Sequence, residues 1–106
     1  MQIIKVCNFV KQTKKESVLT NQLIRSGTSI GANAKESAYA QTRADLITKL
    51  FLAQKECAET EYWLELLYES GYIPKDDFAV VHQDCQELLR ILVASTKTLQ
   101  GKSSGV

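Results

Sequence analysis

Residues 23–36 read LIRSGTSIGANAKE, and this stretch decides the fold. Small residues occupy positions 26, 27, 29, 31, 32 and 34, where they would let two helix backbones approach closely. Polar residues recur every four positions at Arg25, Ser29 and Asn33, and this spacing places them on one face of a helix. The stretch therefore predicts a helix that packs tightly against a neighbour and carries a polar row along one side.

A loop is the alternative structure for this stretch, because each glycine inside a helix costs about 1 kcal/mol relative to alanine. The helix is preferred because an apolar seam keeps its phase on both sides of the glycines. Tight packing at Gly27 and Gly31 would then offset their cost. The seam consists of Leu19, Leu23, Ser26, Ile30, Ala34 and Ser37.

Three further segments show the same helical periodicity. We predict helices over about residues 2–12, 17–40, 43–70 and 75–99, followed by a flexible tail at 101–106. Thr42 and Asp45 have the spacing of a capping box at the start of the third helix, and Gly71 fits its end. Four amphipathic helices with short connections predict an all-α, antiparallel up-down-up-down four-helix bundle in residues 1–100.

The first predicted helix is much shorter than the third. At 1.5 Å per residue, their lengths are about 16 Å and 42 Å. The short helix cannot cover the whole groove that the other three leave, so either it crosses only part of the bundle or a neighbouring subunit covers the rest. Because large exposed apolar strips are rare on monomers, we expect a homo-oligomer.

Composition argues against several classes of protein. No apolar run approaches the roughly 18 residues that a bilayer-spanning helix needs, and the first residues lack the apolar core of a signal peptide. We therefore expect a cytoplasmic protein with no membrane partner. Cys7, Cys57 and Cys85 have neither zinc-site nor disulfide spacing and are expected to fill the core.

The sequence contains no recognisable active site. His82 is the only histidine, and no serine or cysteine can be assigned to it, so a hydrolytic triad is unsupported. The two glycines of residues 23–36 lack the following Lys-Ser/Thr of a phosphate-binding loop. We expect a non-enzymatic protein with no cofactor, no bound metal and no small-molecule substrate. A weaker alternative is an enzyme or metal carrier that uses Glu56, Glu59 and His82.

Charge is unevenly divided along the chain. Residues 1–55 carry nine basic and three acidic side chains, a net +6, whereas residues 56–106 carry four and nine, a net −5. These charges either form one basic and one acidic surface or pair between neighbouring helices. If the basic side chains of the first half converge, they could contact RNA or DNA phosphates. The candidates are Lys11, Lys14, Lys15, Arg25, Lys35 and Arg43.

The polar row of residues 23–36 is either an exposed recognition surface or a network between helices or subunits. The network is preferred, because a buried polar group without a partner costs about 1–3 kcal/mol. Lys49 and Glu56 share one face of the third helix and are expected to be its partners. The candidate packing and oligomer network comprises Arg25, Ser26, Gly27, Ser29, Gly31, Asn33, Glu36, Lys49 and Glu56.

Residues 22–33, followed by Glu36, closely resemble the signature of the bacterial four-helix-bundle proteins encoded in 23S rRNA intervening sequences. Blocks at residues 44–50, 53–60 and 62–67 resemble the same family in the same order. The resemblance implies a small antiparallel four-helix bundle that assembles as a homopentamer. A related branch, the accessory variability proteins of diversity-generating retroelements, works with a reverse transcriptase and nucleic acid.

Two functions follow from the residues and the resemblance together. The leading expectation is a non-enzymatic assembly or binding protein whose main partner is a second copy of itself. The alternative is an accessory factor that binds RNA or DNA through the basic first half and associates with rRNA or a reverse transcriptase.

Overall fold

The structure, a computed structural model, describes residues 2–13 and 16–101. These residues form four α-helices and no strand: α1 (Gln2–Thr13), α2 (Val18–Ser37), α3 (Arg43–Glu69) and α4 (Lys75–Leu99). The predicted all-α four-helix fold is confirmed, and residues 23–36 are helical rather than a loop. Of the predicted tail, only residue 101 is described. Within the described ranges, no helix combines the length and apolar character that a bilayer crossing requires.

α2 ends three residues earlier than predicted. The backbone N–H groups of Ala38, Tyr39 and Ala40 each bond to the carbonyl three residues back. Such bonds tighten the chain at a helix end and take it out of the α conformation. The sequence gives no sign of this earlier end, because residues 37–42 contain neither glycine nor proline.

The helices pack in chain order, and α1 also contacts α4. Ion pairs between α2 and α3 show their relative direction, since Arg25 meets Glu56 and Glu36 meets Lys49. Residue numbers that rise along α2 fall along α3, so the two helices run antiparallel. α3 and α4 are also antiparallel, because Gln54 bonds to Thr96 whereas Glu65, further along α3, bonds to the earlier residue His82.

One apolar core runs between the helices and includes all three cysteines as free thiols. Burial raises the pKa of Cys7 and of Cys57 to about 11, and that of Cys85 to about 12. The expectation that the cysteines fill the core is confirmed. The other buried apolar residues are Ile3, Val6, Val10, Leu23, Ile30, Ala53, Leu64, Leu67, Ile73, Val81 and Leu92.

The ends of α3 follow the sequence closely. Thr42 accepts a hydrogen bond from the backbone N–H of Asp45 at 3.0 Å, as the capping-box spacing predicted. At the other end Gly71 has a φ of +83°, and the N–H of Tyr72 bonds to the carbonyl of Leu67 at 2.9 Å. This left-handed ending is favourable for glycine because it has no Cβ.

The short first helix leaves one end of the bundle uncovered. α1 has 12 residues and α3 has 27. Near Ile3, a groove of about 270 Å³ opens between α2 and α4, and we call it the open groove. Gly31 lines it and is exposed, and a methyl group added there would meet nothing within 4 Å. The tight packing predicted at Gly31 is therefore not seen among the described residues of one subunit.

Candidate functional site

The polar row on α2 contacts α3 at its two ends. Arg25 donates from Nη1 to Glu56 Oε2 at 3.1 Å and from Nη2 to Glu59 Oε2 at 2.7 Å. Lys49 Nζ donates to Glu36 Oε2 at 2.9 Å. The structure thus brings both partners expected on α3, Lys49 and Glu56, onto the row.

These ion pairs shift the pKa values of Arg25, Lys49 and Glu59 in the directions that favour charge. The hydrogen bond from Arg25 holds the pKa of Glu59 below its ordinary value, and the positive charge of Arg25 adds to this effect. The hydrogen bond with Glu36 raises the pKa of Lys49 in the same manner. The Arg25 side chain is 48% exposed, so water screens its attraction to the carboxylates. The pairs therefore define how α2 and α3 align more than they stabilise the fold.

The residues of the candidate network that lie between Arg25 and Glu36 make a different set of contacts. Ser26 is fully buried, and Thr60 of α3 donates to its Oγ at 2.8 Å. Asn33 donates to the carbonyl of Ser29 at 2.9 Å, a contact within α2. Gly27 is buried and lines the open groove. Arg25, Ser26 and Glu36 thus pair α2 with α3, whereas Gly27 lies towards the groove and Asn33 bonds within α2.

The predicted basic cluster is not brought together among its described members. Lys11 donates to Asn21 Oδ1 at 2.7 Å, near the start of α2. Lys35 lies in the last turn of α2, fourteen residues beyond Asn21 and hence about 21 Å along the axis. Arg25 is paired with two glutamates, and Arg43 begins α3. The two other candidates, Lys14 and Lys15, lie outside the described residues.

His82 contacts a different pair of glutamates from the pair that the sequence suggested. Its Nε2 lies 3.2 Å from Glu61 Oε1 and 2.9 Å from Glu65 Oε1. Five residues separate Glu56 from Glu61, which turns the side chain by about 140° around α3. Glu56 and Glu59 therefore face α2, and the grouping of these two with His82 was wrong. The four-residue spacing of Glu61 and Glu65 was the signal that could have identified the pair.

The chain is similar to known proteins over most of its length. The family model described as 23S rRNA-intervening sequence protein matches residues 1–94. A crystal structure of a protein of unknown function from the S23 ribosomal protein family of Bacteroides thetaiotaomicron VPI-5482 has 44% sequence identity and a TM-score of 0.87. That similarity covers 90% of this chain and 88% of the other. None of the curated proteins matches this chain.

Proposed function

This chain belongs to the 23S rRNA-intervening sequence protein family, and from this premise we propose that it is a non-enzymatic assembly module whose copies associate with one another. The proposed contact is the open groove, and its occupant is a second copy of the chain. The observation that carries the proposal is the change in burial along one stripe of α2. Leu23 is fully buried and Ile30 nearly so, whereas Ala34 on the same stripe is exposed.

The opposite wall of the groove supports the same proposal. Leu88 lines the groove on α4, and Ile91 lies one turn further along the helix. Both side chains are exposed, and that of Ile91 is exposed to 57%. Apolar residues on both walls are thus exposed, and covering them would remove apolar surface from water.

The uneven charge supports contact between two different faces of neighbouring copies. Asp84 lines the groove on α4, within the half of the chain that carries the net −5. The other half, with α1 and α2, carries the net +6. An interface between unlike faces closes into a ring when the rotation allows. A ring of five is the assembly that the family resemblance implies, so we propose a homopentamer.

Light scattering coupled to size-exclusion chromatography tests the proposal. We expect a particle five times the 11.9 kDa subunit mass, and a wild-type particle of one subunit would refute the assembly. Ala34→Glu and Ile91→Glu should each shift the mass towards one subunit while helical circular dichroism is unchanged. Val18→Glu is the matched control, since Val18 is 73% exposed at the start of α2 and does not line the groove. Its mass should equal that of the wild type.

Nucleic-acid binding is the second candidate function and has less support. Lys35 and Arg43 are exposed at the same end of the bundle, but Lys11 is distant and Arg25 is paired. The proposal predicts retention on structured RNA that weakens steeply between about 50 and 200 mM salt. Lack of retention at low salt would exclude it, and the same result would leave the assembly proposal untouched.

A further inference from the structure

We propose that Glu61, Glu65 and His82 form a binding site for a divalent transition-metal ion, with zinc as the best match. Glu61 and Glu65 lie one turn apart on α3, and His82 faces them from α4. One potential ligand atom from each residue lies within 4.8 Å of the other two. The proposal concerns the α3–α4 interface and is independent of the assembly through the open groove.

The distances between these atoms suit a tetrahedral ion. His82 Nε2 is 3.2 Å and 2.9 Å from the nearer oxygens of Glu61 and Glu65. Two ligands at zinc distances of about 2.0–2.2 Å are separated by about 3.3–3.6 Å in a tetrahedron. Each glutamate oxygen therefore needs to move only a few tenths of an ångström away from His82 Nε2, and the ligand oxygens of the two glutamates lie within 4.8 Å of each other. Three protein ligands would leave one position for water.

Neighbouring side chains hold two of the three ligands in place. Phe78 stacks on the imidazole of His82 with ring centroids 4.8 Å apart, and Tyr68 stacks on Phe78 at 4.3 Å. Gln86 donates to Glu61 Oε1 at 3.3 Å. Contacts of this kind orient metal ligands and strengthen binding, since the ligands lose less freedom when the ion arrives.

The site is open to solvent and favours cations. The Glu65 side chain is 45% exposed, whereas those of Glu61 and His82 are mostly covered. An open pocket lined by His82, Gln86 and Glu87 borders the site on α4. The two carboxylates attract any cation, but the imidazole nitrogen selects zinc-like ions over magnesium and calcium, which prefer oxygen ligands.

Calorimetric titration of the full chain with zinc chloride tests the site. We expect one ion per chain, and Glu65→Gln and His82→Gln should each weaken binding by more than about tenfold. Glu69→Gln is the matched control, because it removes the same charge one turn further along α3 and should bind as the wild type does. Zinc should also raise the melting temperature of the wild type and not that of Glu65→Gln. Magnesium chloride should bind much more weakly.

Cobalt chloride gives a spectroscopic check of the ligands. The wild type should show the visible bands of four-coordinate cobalt without thiolate charge-transfer absorption, since the thiols of Cys57 and Cys85 are buried and not among the ligands. Absence of zinc binding by the wild type would overturn the proposal. So would wild-type affinity in a correctly folded Glu65→Gln, or a thiolate band in the cobalt spectrum.

Discussion

Arg25 of α2 and Glu59 of α3 are joined by a 2.7 Å hydrogen bond between Nη2 and Oε2. The bond favours the ionised carboxylate, so the pKa of Glu59 in the folded chain lies below the ordinary value for glutamate. A carboxyl whose pKa is lowered by folding stabilises the folded state at pH values above its ordinary pKa of about 4.3. That contribution is lost as the pH falls through the lowered pKa of the folded state.

Replacement of Arg25 should therefore lower the stability of the folded chain at neutral pH and not in acid. We expect Arg25→Gln to unfold at a lower urea concentration than the wild type at pH 7, with the gap closing below about pH 3. Arg90→Gln is the control, because Arg90 forms an ion pair within its own helix, with Glu87 at 3.6 Å, and both side chains are largely exposed. Its midpoint should follow the wild type at both pH values. A gap for Arg25→Gln that persists in acid would contradict the assigned cause.

Thr60 and Ser26 form a buried hydroxyl pair between α3 and α2. Thr60→Val keeps the side-chain volume and removes the donor, so it should lower the free energy of unfolding by about 1–2 kcal/mol. Combining it with Ser26→Ala should cost less than the sum of the single changes, by about 0.5–1.5 kcal/mol. Urea denaturation of the four proteins of this cycle measures the coupling. Strict additivity would show that the hydroxyl pair does not stabilise the fold.

Gly31 and Gly71 should respond in opposite directions to replacement by alanine. Gly31 is helical with free space around it, so alanine should stabilise the isolated subunit by about 1 kcal/mol. Gly71 has a φ of +83°, where a side chain is strained, so alanine should destabilise by about 1 kcal/mol. Thermal unfolding of both variants measures the two signs. Light scattering of Gly31→Ala gives a second result. If this variant fails to assemble, a neighbouring copy packs against residue 31.

Trp63 has a buried indole N–H with no acceptor among the described residues. An unsatisfied buried donor costs about 1–3 kcal/mol. Trp63→Phe removes this cost, but the smaller side chain also buries less apolar area. We expect the free energy of unfolding to change by less than about 1 kcal/mol. Trp63→Ala should cost about 3 kcal/mol or more, because it removes the whole aromatic side chain. A large loss in the phenylalanine variant would show that the indole N–H has an acceptor after all.

The helices could be predicted because their signals are local. The seam through Leu23 and Ile30 repeats every three or four residues on both sides of the glycines, and Thr42 and Asp45 have a spacing that only a helix start requires. Such patterns need no knowledge of the neighbouring elements. This is why four helices were predicted with boundaries within three residues of those observed.

The site residues were harder to assign, because their partners depend on how the helices are arranged around one another. The sequence shows that Glu56, Glu59, Glu61 and Glu65 are close along α3, but not which of them faces α2 and which faces α4. Only the packed bundle separates the two that meet Arg25 from the two that meet His82. The exposure of Gly31 likewise depends on which elements pack against α2, and residues 23–36 carry no information about that.

The limited reach of α1 also determines the order in which the bundle opens. Its 12 residues cover only one end of the other three helices, and Cys7 lies over Thr20 there through a contact to its carbonyl oxygen at 3.7 Å. Segments with few buried contacts exchange their amide protons at lower opening energies than the core does. We expect deuterium to enter α1 first, while the centres of α2, α3 and α4 stay protected. Each such event uncovers Thr20, which is fully buried, so the opening of α1 controls when water reaches this part of α2.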